Sequence, residues 1–167
     1  MAVSNGVDVV FGIRVSGVED ASKNVMKLVD ERGNRFLARI IVNVAGLGSR
    51  KFADSYLGES FDINPRRGQF LIYDKNTNHL ISRIILPVPT SKTKGKLIAP
   101  TIFGNLLAGP TAEDLPLGDP GATATTLEGI KEVREAAVGM CPILCDHLPI
   151  ASYAGARCNC KQGSFRI

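Results

Sequence analysis

The chain has 167 residues, 44% hydrophobic and 22% charged, with 20 Lys and Arg against 16 Asp and Glu for a formal charge of +4. That length suits one ordinary core, or one domain plus part of another, and the scattered charge with no Trp argues against a nucleic-acid partner. No apolar run approaches the roughly 20 residues a membrane span needs and no signal peptide opens the chain, so a cytoplasmic location is the default expectation.

In chain order, "MAVSNGVDVV" (1–10) reads as the last turn of a helix closed by Asn5-Gly6 and followed at once by a strand. Alternation in "GIRVSGVE" (12–19), "VMKLVD" (25–30) and "RFLARIIVN" (35–43), with turns between, predicts a three-stranded antiparallel meander whose third strand becomes fully buried. The stretch "RIIVNVAGLGSRKF" (39–52) then stops at Ala45-Gly46 and turns through Leu47-Gly48. Such a turn without bulky side chains lets a backbone approach a phosphate or nucleotide, or else serves only close packing of helix on strand. No G-x-G-x-x-G and no P-loop accompany it. "SRKFADSYLG" (49–58) predicts a short helix with Phe52, Tyr56 and Leu57 on one side and Gly58 as its C-terminal cap.

A second region follows. "RGQFLIYD" (67–74), "HLISRIILP" (79–87), "GKLIAPT" (95–101) and "NLLAGPT" (105–111) read as strands, the last two joined as a hairpin through Phe103-Gly104-Asn105. "TTLEGIKEVREAAVGMCP" (125–142) predicts the one long helix, with Thr125 and Glu128 as a capping box, Leu127, Ile130, Val133 and Ala137 as its apolar stripe, and Pro142 as its stop. "LPIASYAGAR" (148–157) and "GSFRI" (163–167) return to strand character, the latter ending inside its strand. Both ends therefore read as cuts in a longer chain, and its missing N- and C-terminal parts are expected partners. The fold class is α+β, an antiparallel sheet crossed by one long helix.

Chemistry-bearing residues are few. Cys141, Cys145, Cys158, Cys160 and His147 have the count for a zinc or iron–sulfur site but not its familiar spacing, so they read as structural thiols and no metal is expected. His79 and His147 stand beside no serine or cysteine nucleophile. Lys92, Lys94 and Lys96 in "SKTKGK" (91–96) form either a solvated loop or a positive field that steers an anionic substrate, with Lys94 as the substrate-side candidate.

The order "NGVDVVFGIRVSGVE", "IIVNVAGLGSRKFA", "INPRRGQFLIYDK", "LPVPTSKTKGKLIAPTIFGNLLAGPTAED", "TTLEGIKEVREAA" and "IASYAGARCNC" resembles the middle of FAD-dependent dehydrogenases of the D-amino-acid-oxidase-like superfamily. Within it the chain is most similar to the glycerol-3-phosphate dehydrogenase and 2-hydroxyglutarate oxidase branch. The resemblance implies that residues 1–58 belong to an FAD-binding domain and 59–167 to a substrate-binding antiparallel domain. It places Ala45 and Gly46 against the FAD ribose-pyrophosphate, the Val15 backbone against the adenine, and Arg157, in "YAGAR" (153–157), on the anionic group of a small substrate. The family strand usually passes from that arginine into proline; here it passes into Cys158-Asn159-Cys160. The resemblance names no catalytic base. It implies oxidation of a small anionic alcohol such as glycerol 3-phosphate, with a 2-hydroxy acid as alternative substrate and a non-catalytic module on the same sheet as the other class. A chain without the rest of its flavin domain is expected to be inactive, to lack FAD and to self-associate through apolar patches.

Overall fold

A computed structural model describes residues 2–22, 24–56, 61–89, 95–119 and 121–160. The chain divides into two compact units, Met1–Asp62 and Ile63–Ile167, against an expected boundary at 58/59.

The first unit is an antiparallel meander of β1 (Val15–Ser22), β2 (Val25–Asp30) and β3 (Arg35–Ala38), followed by helix α1 (Ser49–Tyr56) packed on β1. The β2–β3 turn is set by one carboxylate. Asp30 Oδ1 accepts from the backbone N–H of Arg32 and of Asn34, each at 2.8 Å, and Oδ2 accepts from Asn34 Nδ2 at 2.8 Å. The Asn34 hydrogen bond is the main reason its carboxyl lies below the ordinary carboxylate value. Two expectations fail here. The third strand ends at Ala38 and is not buried: Leu37 is exposed, as are Ile40, Val42 and Val44 beyond it. The N-terminus is a 3-10 turn, Val3–Asn5, closed by Gly6 at φ 79°, and residues 7–11 form no strand. An apolar, β-branched run suits a strand only where a neighbouring strand pairs with it. In α1, Ala53 is buried, while Leu57 and Gly58 lie outside the described residues.

The second unit is a five-stranded antiparallel sheet built around β4 (Ile63–Tyr73). Along one edge of β4 run β6 (Leu106–Gly109) and β7 (Glu113–Asp114), with β5 (Leu97–Pro100) outside β6. Along the other edge β8 (Pro149–Cys160) pairs from Ile63↔Cys160 to Tyr73↔Pro149. The β5–β6 hairpin turns as expected, with Gly104 at φ 85° and its N–H donating to Thr101 O. Helix α2 (Leu127–Met140) crosses one face, where Leu71, Tyr73, Ile98, Leu106, Val133 and Ala137 form the core.

The expected strand 79–87 is absent. Asp74 Oδ1 accepts from Asn76 N at 3.0 Å and starts a 3-10 helix over Lys75–Leu80; Ile81 then turns into the core, and only Ile85 bridges to Ile98. The cap of α2 is Thr126 rather than Thr125, its Oγ1 accepting from Gly129 N at 3.1 Å. This moves the third helical position from Glu128 to Gly129, so the Thr125–Glu128 box does not form. Leu127, expected in the apolar stripe, is 62% exposed, because the helix buries Gly129, Val133 and Ala137 instead. Lys96 is no solvated loop residue: its Nζ lies 2.6 Å from Glu132 Oε1 on α2. Residues 163–167 lie outside the described residues.

Candidate functional site

In the first unit, the Asn43 side chain braces the turn expected to meet a ligand at both ends. Oδ1 accepts from Ala45 N at 3.3 Å and Nδ2 donates to Ser49 O at 2.9 Å. Between them Ala45 and Gly46 are exposed, and Gly46 has φ 59°, a left-handed conformation glycine adopts without a Cβ penalty. The result is an anchored stretch of bare backbone, which fits the close approach of a large, flat, phosphate-bearing cofactor. Val15, at the start of the edge strand β1, is exposed and pairs with Asp30.

In the second unit, alternation along β4 and β8 sorts the side chains between the α2 face and the opposite face. Leu71 and Tyr73 face α2. Arg66, Gly68, Phe70 and Ile72 point the other way, and their cross-strand partners Arg157, Gly155, Tyr153 and Ala151 share that face. Phe70 and Tyr153 stack with centroids 5.0 Å apart at 13°. Past the aromatic pair comes Gly155, where an added Cβ would meet nothing within 4 Å. Arg157 follows two residues on. Tyr153, Gly155 and Arg157 thus form an aromatic wall, an open floor and a cation along one strand face.

Arg157 is exposed and has no ion pair among the described residues, whereas Arg66, directly opposite, is neutralised. Arg66 Nε donates to Asp114 Oδ1 at 2.6 Å and Nη2 to Oδ2 at 2.7 Å, and Asn159 Nδ2 donates to the same Oδ1 at 3.1 Å. The Asp114 hydrogen bonds push the Arg66 guanidinium pKa further up. Sequence reading missed Arg66, Asp114 and Asn159. The signal for Arg66 is the doubled arginine of "PRRG" (65–68): its first arginine is in phase with Phe70, and its second, Arg67, is 7% exposed and tied to Glu113 and to the Gly121 and Ala124 carbonyls.

Lys94 lies outside the described residues, as does Lys92. The cysteines stay in two places, Cys158 and Cys160 on β8 and Cys141 and Cys145 after α2. Among the described residues no three His, Cys, Asp or Glu side chains are grouped to hold a metal ion. Cys145 donates to Asp146 Oδ1 at 3.4 Å, which raises its thiol pKa and disfavours the thiolate. No described helix is long and apolar enough to cross a membrane.

Residues 1–167 match the family described as FAD dependent oxidoreductase (DAO), and the chain belongs to that family. It is 33% identical to the glycerol 3-phosphate dehydrogenase of Caloramator mitchellensis over 166 residues, 99% of this chain and 34% of that protein. It is 30% identical to the L-2-hydroxyglutarate dehydrogenase of Indibacter alkaliphilus over 111 residues, 64% of this chain and 27% of that protein. Among solved structures, the FAD-bound L-alpha-glycerophosphate oxidase of Mycoplasma pneumoniae superposes with a TM-score of 0.79 at 22% identity, covering 96% of this chain and 42% of that one. At that identity the likeness is one of fold. The chain thus spans well under half the length of these relatives.

Proposed function

We propose that the protein carrying this chain is an FAD-dependent dehydrogenase that oxidises a small anionic alcohol, with glycerol 3-phosphate as the leading substrate and a 2-hydroxy acid as the alternative. The observation that carries the reading is the face formed by Tyr153, Gly155 and Arg157, an open floor ending in an exposed cation. The 33% identity to a glycerol 3-phosphate dehydrogenase favours the first substrate, and the 30% identity to an L-2-hydroxyglutarate dehydrogenase favours the second.

The residues divide the work. Ala45 and Gly46 hold the FAD ribose-pyrophosphate by leaving their backbone bare, and the Val15 backbone meets the adenine. Bound flavin would supply the redox chemistry, as acceptor of the two electrons removed from the alcohol. Arg157 binds the phosphate or carboxylate through its planar fork, whose geometry matches two oxygens as a lysine cannot. Tyr153 limits the floor on the other side, so the substrate is held by its charge at one end and by contact at the other. Lys94 adds positive field for anion capture.

The test is steady-state kinetics on the FAD-loaded protein with glycerol 3-phosphate and with glycerol. A charge-assisted hydrogen bond contributes about 1.5–3 kcal/mol, so Arg157→Ala lowers kcat/KM for the anion by roughly ten- to a hundredfold, and Arg157→Lys recovers only part. Flavin content stays at the wild-type level. Equal losses with both substrates, or full activity with the anion, refute the role. Failure to bind FAD at all would instead favour a non-catalytic module on the same sheet.

A further inference from the structure

Across three strands of the face opposite α2, at one level of the sheet, stand Asp114 on β7, Arg66 on β4 and Arg157 on β8. Their charges run minus, plus, plus. Like charges directly opposite one another on a sheet face are destabilising, and a bare Arg66–Arg157 pair would present two positive charges within one cross-strand spacing. Asp114 cancels one of them. Among the described residues it is held by the two-pronged Arg66 contact at 2.6 and 2.7 Å and by Asn159, which donates at 3.1 Å from β8 itself, two residues beyond Arg157.

We propose that Asp114, acting through Arg66, sets the charge selectivity of the anion site at Arg157 by holding it at a single net positive charge. This rests on the reading of Arg157 as the anion anchor. Asp114 and Arg66 are positioning residues here: neither needs to touch the bound anion. With one net positive charge the site matches a monoanionic group, a carboxylate or a phosphate ester in its singly protonated form, and leaves a dianion half-compensated. Neutralising Asp114 turns the site into a doubly positive one and frees the Arg66 fork to lean toward the anion. Because electrostatic attraction scales with ligand charge, the affinity factor gained by a dianion is about the square of that gained by a monoanion. Neutralising both partners removes equal and opposite charges and returns the net charge of the site to one.

The experiment measures competitive inhibition of the FAD-loaded protein by sulfate, a dianion, and formate, a monoanion, at fixed pH and ionic strength. Asp114→Asn, which keeps the size but has one acceptor oxygen where the carboxylate has two, is expected to lower the sulfate inhibition constant by about tenfold and that of formate by about threefold. The double variant Arg66→Gln with Asp114→Asn is expected to return the sulfate-to-formate ratio to within about twofold of wild type. A change of equal size for both anions, no change, or a double variant that keeps the altered ratio overturns the proposal. Arg157→Ala separates the two ideas. Loss of inhibition by both anions in that variant, with an unaltered ratio in Asp114→Asn, refutes the charge-setting role alone. Full inhibition in Arg157→Ala refutes the anion anchor and the proposal with it.

Discussion

Gly129 gives a sharp test of how α2 is seated, because backbone propensity and packing predict opposite signs. A Cβ built there would run into the side-chain amide of Gln69 on β4. Gln69 is 1% exposed and its amide is bonded at both ends: Nε2 donates to Thr126 Oγ1 at 3.1 Å and Oε1 accepts from Thr126 N at 2.7 Å, while Thr126 caps α2. On propensity alone, Gly129→Ala should stabilise the helix by about 1 kcal/mol. Against this stand overpacking, about 1–3 kcal/mol, and a displaced Gln69 whose buried partners go unpaired, about 1–3 kcal/mol more. The net is a destabilisation of about 3 kcal/mol. With a urea slope of about 2 kcal/mol per M, the unfolding midpoint followed by circular dichroism should fall by about 1.5 M. Gly139 on the same helix is the internal control, since an added Cβ there meets nothing within 4 Å, and Gly139→Ala should hold or raise the midpoint. A Gly129→Ala protein at or above the wild-type midpoint would refute the seating of α2 on Gln69.

Three further outcomes are expected. Ala45 is exposed, so in the whole protein that carries this chain Ala45→Leu should leave the fold intact yet weaken FAD binding by about tenfold or more, read by flavin fluorescence titration; unchanged affinity would remove the turn from the proposed flavin contacts. The lowered Asp30 pKa means the β2–β3 turn is stabilised above the unfolded carboxylate value and loses that stabilisation as pH falls below about 4 and through the folded value. Amide exchange at Arg32 and Asn34, corrected for its intrinsic pH dependence, should lose protection as pH falls below about 4 in wild type and not in Asp30→Asn. Exposed Phe11, Ile40, Val42 and Val44 should make the 167-residue chain alone self-associate, so light scattering that reports a strict monomer at high concentration would count against that surface.

What could be read from the sequence depended on how local the cause was. Residues 25–30 alternate and pair on both sides, and they are a strand as expected. The β5–β6 hairpin is written in its own turn. Residues 79–87 have strand composition, but an upstream aspartate starts a 3-10 helix, and the run has no ladder partner beyond Ile98. The Thr125–Glu128 spacing is a sound capping signal, and it lost to Gln69, a residue far away in sequence that grips Thr126. The candidate face divides the same way. Arg157 becomes a candidate only through resemblance to a family. Its neighbours Arg66 and Asp114 arrive through cross-strand register, which no single strand reveals, and starting the strand at Arg67 left Arg66 outside it.

The long β4–β8 ladder also sets an order of events during synthesis. Tyr73 waits for Pro149 and Ile63 for Cys160, and translation at about 5–20 residues per second makes that wait about 4 s or longer. For that time one edge of the central strand has no pairing partner, while β5, β6 and α2 can already close over the face that holds Leu71 and Tyr73. The core can therefore be assembled before Arg157 leaves the ribosome. The face that carries Arg66 and Arg157 is completed last, and the nascent chain is most open to mispairing and most in need of a chaperone along the very edge that β8 later covers.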